Sequence, residues 1–128
     1  MATVALDADV LIAFLDASDD QHKRAIDLLR PRLAAGDRVL VAASVYAEIL
    51  VHPLKHGSDK AIDDFLTAID ADIIPIDRDI ARRAAKLRVT HRKVRLPDAL
   101  SLATALATQA DLLTLDQRLQ RIARKQSS

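Results

Sequence analysis

At 128 residues, half of them apolar, the chain has the size and composition of one ordered domain spanning residues 1–128, with apolar matter enough to close a core unaided. It has no cysteine, which excludes a disulfide framework, cysteine-ligated zinc and a thiol nucleophile together and fits a reducing compartment. The net charge of +1 hides a division, because residues 1–77 hold 7 Lys/Arg against 14 Asp/Glu while residues 78–128 hold 12 against 4. An acidic cluster beside a basic flank suits a cation and a polyanion together, and two solvated faces would give the same tally.

In chain order, Thr3–Leu6 reads as a short strand that stops at Asp7, and Val10–Leu15 as an apolar helix. Met1 to Leu15 carries two acids and no base, which reads against a secretory leader. After the polar break Ser18–Gln21, the residues Ala25, Ile26, Leu28, Leu29 and Leu33 recur at helical spacing until Gly36. Val39–Ala42 is a buried-strand pattern, and Ser44 is placed as the N-cap of a helix bearing Val45, Glu48, Ile49 and Leu50. Gly57 and Ser58 interrupt, Ile62, Phe65, Leu66 and Ile69 mark an amphipathic helix, and Ile73, Ile74 and Ile76 form a third strand.

The second half continues the alternation. Ile80–Val89 predicts a helix with a basic face, followed by the basic loop Thr90–Arg95. Pro97 opens a helix that runs to Ala110 and is apolar on nearly every side, so it must be buried. Leu112–Leu115 supplies a fourth strand and Gln117–Lys125 a basic terminal helix. No apolar run approaches the roughly 18 residues of a membrane-spanning helix, so a cytoplasmic protein is expected.

Strands alternating with helices, with no hairpin signal, predict an α/β fold: about four parallel strands flanked by helices on both faces. Ligands of such sheets sit at the carboxyl ends of the strands. Asp7 follows the first strand, Asp116 the fourth, and Glu48, the sole glutamate, lies a turn into the helix after the second. Several carboxylates brought close together raise one another's pKa, an arrangement that a hard divalent cation relieves. Each aspartate also has a plain structural role open to it: Asp7 and Asp116 as helix caps, Asp98 as a charge at the helix start behind Pro97. Glu48 stands on an apolar stretch, where an unpaired charge is costly.

Four segments carry the acids: Ala5-Leu-Asp-Ala-Asp-Val-Leu-Ile12, Ala43-Ser-Val-Tyr-Ala-Glu-Ile-Leu50, Leu96-Pro-Asp-Ala-Leu-Ser-Leu-Ala-Thr-Ala105 and Ala110-Asp-Leu-Leu-Thr-Leu-Asp116. In order and spacing they resemble the PIN-domain family over essentially the whole chain, and most closely its VapC-type toxins. Carried across position by position, the family's catalytic and metal-binding acids fall on Asp7, Glu48, Asp98 and Asp116, and Thr114 matches a hydroxyl residue of the fourth motif. Where the family has a hydroxyl residue and then Asn or Ser after the first acid, this chain has Ala8 and Asp9, an extra carboxylate nearby. The family's usual last strand has no counterpart in the basic sequence after Asp116.

The resemblance implies a Mg²⁺-dependent endoribonuclease, with Mn²⁺ also suited to oxygen ligands, that hydrolyses RNA phosphodiester bonds to leave a 5′-phosphate and a 3′-hydroxyl. It further implies a small cognate antitoxin as partner and a homodimer. The rival reading is a catalytically silent PIN module that binds RNA or a protein. The pair Asp7 and Asp9 also invites a haloacid-dehalogenase reading, but Leu11 stands where that motif wants a small hydroxyl residue or valine. A receiver domain fails because Ala43 and Ser44, not an aspartate, follow the middle strand.

Arg82, Arg83, Lys86, Arg88, Arg92, Lys93 and Arg95 are candidates for RNA phosphates or form an ordinary solvated face. With Phe14, Tyr46 and Phe65 as the only aromatics, no base-stacking platform is predicted. His52 and His56 have the spacing of a zinc pair, yet Pro53 between them is expected to spoil the helix and no third ligand is near in sequence. His22, heading a helix, is expected to have a structural or capping role.

Overall fold

The computed structural model describes residues 2–127. Among these, four strands, β1 (Thr3–Leu6), β2 (Arg38–Ala42), β3 (Asp72–Ile74) and β4 (Asp111–Leu113), alternate with helices α1 (Ala8–Leu15), α2 (His22–Ala34), α3 (Ala43–His56), α4 (Asp59–Ala68), α5 (Arg78–Thr90), α6 (Leu96–Thr108) and α7 (Gln117–Ser127). The strands form one parallel four-stranded sheet in the order β3-β2-β1-β4. The chain moves outward from β1 through β2 to β3, then crosses back to set β4 on the other side of β1. This reversal puts the ligand crevice of an open parallel sheet between the carboxyl ends of β1 and β4.

Side chains alternate across the strands with a period of two. Val4 and Leu6 of β1 and Val39 and Val41 of β2 face a core completed by Val10, Leu11, Leu29 and Val45 of α1–α3. Ala5 and Leu40 point the other way, onto Ala105 of α6. Behind α6, its Leu102 packs with Ile80 and Leu87 of α5 and Leu119 and Ile122 of α7. The sheet is therefore covered on both faces, and α6 is wrapped on nearly every side, as its composition predicts. Truncating Leu102, which is 1% exposed, to alanine would cost about 2–5 kcal/mol.

Local chemistry moves several boundaries. Ser44 does not cap α3: the helix starts at Ala43 after an extended Ala42, and the Ser44 hydroxyl is buried with no partner among the described residues. Pro53 does not break α3 either. One N–H bond is lost, but buried Val45 and Ile49 anchor the turns ahead, and the Gly57 and Ser58 N–H groups both donate to the Pro53 carbonyl behind. Gly57, at a φ of 69°, then ends the helix in the left-handed conformation that glycine adopts freely. β3 stops before Pro75, and β4 stops before Thr114, whose side chain serves the crevice instead of the ladder.

At the opposite, amino-terminal edge of the sheet, Arg32 pairs with Asp37 and Asp111, and Arg38 with Asp72. Part of the acidic charge is thus neutralised far from the crevice. Among the described residues no helix is long and apolar enough to cross a membrane.

Candidate metal centre

Asp7 is the first residue beyond β1, and its backbone N–H donates to the Leu113 carbonyl at 2.9 Å, which fastens the mouth of the crevice to β4. Its extended backbone makes it the N-cap of α1, with Oδ1 accepting from the Ala8 N–H at 2.9 Å. The capping role raised by the sequence is therefore filled, by a carboxylate that does more. Oδ1 also accepts from Ser101 Oγ of α6 at 3.0 Å, and Oδ2 from Thr114 Oγ1 at 2.8 Å. Burial, to 4% exposure, pushes the Asp7 carboxyl up, and the neighbouring charge of Asp9 pushes it further, against the pull of these three hydrogen bonds.

Asp9, on the first turn of α1, reaches the same hydroxyl: Thr114 Oγ1 lies 3.2 Å from Asp9 Oδ2, and the Leu115 N–H donates to that oxygen at 3.1 Å. One hydroxyl carries one proton, so Thr114 donates to Asp7 at the shorter distance or to Asp9, not to both. Asp9 Oδ1 is buried and unpartnered among the described residues. Burial raises the Asp9 carboxyl above its ordinary range, with the charge of Asp98 adding to the effect.

Asp98 sits in the first turn of α6 behind Pro97, and a half-buried setting raises its carboxyl, first by burial and next by the charge of Asp7. Arg95, at 3.7 Å from Nε to Asp98 Oδ2, works the other way. Glu48 projects from α3 at the rim and is exposed as a residue. Partial burial of its carboxyl and then the charges of Asp7 and Asp98 raise its pKa. Its apolar sequence neighbours line the core on other sides of the helix, so the expectation of a costly buried charge gives way to a carboxylate at the mouth. Asp116 is exposed and caps α7 through Oδ1, which accepts from the Leu119 N–H at 3.1 Å, while its own N–H donates to Thr114 Oγ1 at 3.1 Å. It reaches the group through its charge on Asp98.

The fold thus draws Asp7, Asp9, Glu48 and Asp98 into one electrostatic neighbourhood with Asp116 at its edge. No three of the described Asp, Glu or His side chains already close on a single point. His52 and His56 lie on an exposed stretch of α3 with ring centroids 4.3 Å apart and stay outside the cluster. The His22 ring bonds the Ala13 carbonyl at 2.7 Å, the structural role expected of it. Sequence reasoning had no role for Ser101 and none settled for Asp9. The signal for Ser101 was its place three residues after Asp98, on the same face of a helix.

Residues 4–125 match the model of the PIN domain. The chain belongs to the PIN-domain family. PIN-domain nucleases are typically metal-dependent, and the family generally uses Mg²⁺. Among solved structures, this PIN domain is similar to a toxin–antitoxin complex from Klebsiella pneumoniae, with 26% identity, 91% of this chain and 88% of that chain covered, and a TM-score of 0.71. It shares its fold with VapC20 of Mycobacterium tuberculosis, a toxin described as cleaving the sarcin–ricin loop (18% identity, 94% and 95% covered, TM-score 0.73). It also shares it with VapBC2 from Rickettsia felis, solved bound to a DNA fragment from their promoter (20% identity, 94% and 92% covered, TM-score 0.72). No curated protein gives a match. The PIN domain described here therefore has the fold of the VapC toxins.

Proposed function

We propose that this PIN domain acts in the cytoplasm as a metal-dependent endoribonuclease, the toxin of a toxin–antitoxin pair, and that residues 1–128 form a single domain. The observation that carries the reading is the electrostatics of the crevice: Asp7, Asp9, Glu48 and Asp98, from three separate segments, all have raised carboxyls, and charges within the group contribute to each shift. A fold gains nothing in stability from gathering like charges. The arrangement makes sense for a protein that takes up a cation and then a phosphodiester.

The donor set fits a hard ion. Every ligand in reach is an oxygen, which suits Mg²⁺ and also Mn²⁺. The buried Asp9 Oδ1 has no hydrogen-bond partner among the described residues, which suits an oxygen that takes a cation. Asp7, Glu48, Asp98 and Asp116 would hold the ion, with Asp9 beside them. When bound, the metal neutralises the carboxylates and offers charge stabilisation to an in-line displacement at phosphorus. The chain itself orients the site: Ser101 and Thr114 hold the two oxygens of Asp7, the Leu115 N–H holds Asp9, and Glu48, exposed at the rim, would turn its carboxylate onto the ion.

A protein partner has a surface available. Beside Glu48 lies a cavity of about 640 Å³ walled by Ile12, Leu15, Ile49, Pro53 and Ile62. Ile12 and Leu15 are 46% and 38% exposed. A cognate antitoxin segment seated there would reach the carboxylates. Self-association as a homodimer belongs to the same reading.

Purified, partner-free protein incubated with total bacterial RNA should cleave it in Mg²⁺ or Mn²⁺ and not in EDTA, and Asp98→Asn should abolish cleavage without loss of fold. Cleavage that survives both EDTA and Asp98→Asn would remove this mechanism. A folded protein that cleaves nothing in either metal would leave the silent binding module as the function.

A further inference from the structure

A second cleft opens between the α5–α6 loop and α7. Its volume is about 410 Å³, and Arg92, Lys93, Arg118, Arg121 and Lys125 line it together with His91. Among the described residues no carboxylate lines it. Its remaining lining residues, Val94 and Ile122, are 6% and 8% exposed, so the apolar floor is closed and the rim is cationic. The Nε2 atom of His91 is buried without a hydrogen-bond partner among the described residues.

The walls are built to hold these charges in place. On α7, Leu119 and Ile122 turn into the core, which leaves Arg118, Arg121 and Lys125, at spacings of three and four, on the facing surface. On the other wall, Arg88 Nη1 donates to the carbonyls of Arg92 at 3.2 Å and Val94 at 2.8 Å, pinning the loop that presents Arg92 and Lys93. These two bonds occupy Nη1 alone among the donor nitrogens of Arg88. Along the chain each wall adjoins an acid of the candidate site: Lys93 stands five residues before Asp98, and Arg118 two residues after Asp116. The neighbouring basic cavity around Arg82, Arg83 and Lys86 differs, because Asp79 lines it too and pairs with Arg83 at 2.9 Å.

We propose that this cleft is a backbone subsite that seats phosphates of a single nucleic-acid strand on its way to the carboxylates. The choice of RNA as that strand rests on the nuclease reading above. The geometry of charge is independent of it. A peptide partner would want an apolar strip to bury, and here the apolar residues are already covered. Among the described residues no Phe, Tyr or Trp lines the cleft, and the one ring there, His91, has its Nε2 buried, so the contacts offered are cations for phosphate, independent of sequence.

The test is binding of a fluorescent single-stranded RNA to the full chain carrying Asp98→Asn, in Mg²⁺, across a salt series. Adding Arg118→Gln and Arg121→Gln should weaken binding about tenfold or more and flatten the slope of log K against log salt by about 1.4, the value for two lost phosphate contacts on a single strand. Glutamine is a good helix former, and an unchanged Tm confirms the fold. Arg82→Gln with Lys86→Gln should change affinity by less than about twofold. DNA of the same sequence should respond to the substitutions as RNA does. Unchanged affinity and slope in the α7 double variant would overturn the subsite. So would a variant that keeps its RNA affinity but loses binding to polyglutamate, which would make the surface a seat for an acidic protein. A protein that cleaves no RNA yet shows the expected losses upholds the subsite and refutes the nuclease. One that cleaves RNA with kcat/KM untouched by the double substitution does the reverse.

Discussion

Thr114 Oγ1 stands 2.8 Å from Asp7 Oδ2, joining residues 107 positions apart in the chain through one buried hydroxyl. The same oxygen accepts the Asp116 N–H and lies beside Asp9, so a single side chain positions three of the acids. Thr114→Val keeps the shape and removes the donor. It leaves a buried carboxylate oxygen short of a partner, at a cost of about 1–3 kcal/mol. The variant should melt earlier and bind Mg²⁺ at least several-fold more weakly, and Thr114→Ser should recover both. Calorimetry on the two variants decides it: a valine variant with native metal affinity would leave Thr114 as mere packing.

Asp7 is the most deeply buried of the acids, and its charge is opposed by burial and by Asp9. Asp7→Asn removes that charge while an amide oxygen can still accept from Ser101 and the Ala8 N–H. In EDTA the variant should therefore be more stable than the natural chain by about 1 kcal/mol, a Tm rise of roughly 4 °C. In Mg²⁺ the order should invert, because only the natural chain gains binding energy from the ion. A variant less stable than the natural chain in EDTA would show that the carboxylate serves the fold.

Stability against pH should carry the sign of the cluster. Asp7, Asp9, Glu48 and Asp98 have raised carboxyls, so between the unfolded value of about 4 and the raised folded values the native state holds more protons than the unfolded chain. Stability from these groups is complete below the unfolded value and is lost as pH rises through the folded values. Metal-free protein should accordingly melt higher at about pH 5 than at about pH 7.5, and saturating Mg²⁺ should abolish the difference. Asp16, lowered by hydrogen bonds from Ser18, and Asp37, lowered by Arg32, act in the opposite sense, and their contribution is lost as pH falls below about 4. A Tm in EDTA that climbs steadily from pH 5 to pH 8 would contradict the assignment.

In the proposed site Arg95 would compete with the ion for Asp98. Its guanidinium is 3.7 Å from the carboxylate, is largely exposed and repels a cation in the crevice. An exposed pair of this kind is worth at most about 1 kcal/mol. Arg95→Ala should therefore tighten Mg²⁺ binding by about two- to fivefold, with the gain shrinking at high salt. Weaker Mg²⁺ binding by the alanine variant would mean that Arg95 organises Asp98 for the ion.

The alternation of short apolar runs with amphipathic stretches was enough to predict a four-stranded parallel sheet with helices on both faces, because period-two and helical spacing are local properties. The resemblance to PIN domains rested on four acids at element ends or on a helix beside one, and strand ends are legible where short apolar runs stop. Pro53 was read as a breaker because the sequence shows the missing N–H but not the anchors on either side of it. Ser44 was read as a cap because its residue type fits, while the chain turned into the helix two residues earlier, with Ala42 at the cap position.

What the chain order alone could not show is which polar groups meet. Asp9, Ser101 and Thr114 come from α1, α6 and the exit of β4, and their encounter depends on β4 crossing back to lie beside β1. The burial that raises the carboxyls exists only once those elements are packed. The cleft between Arg92 and Arg118 arises the same way, from α7 folding onto the loop that Arg88 holds. Local spacing carried the elements and the candidate acids; contacts between distant segments, and the low-dielectric surroundings they create, carried the site.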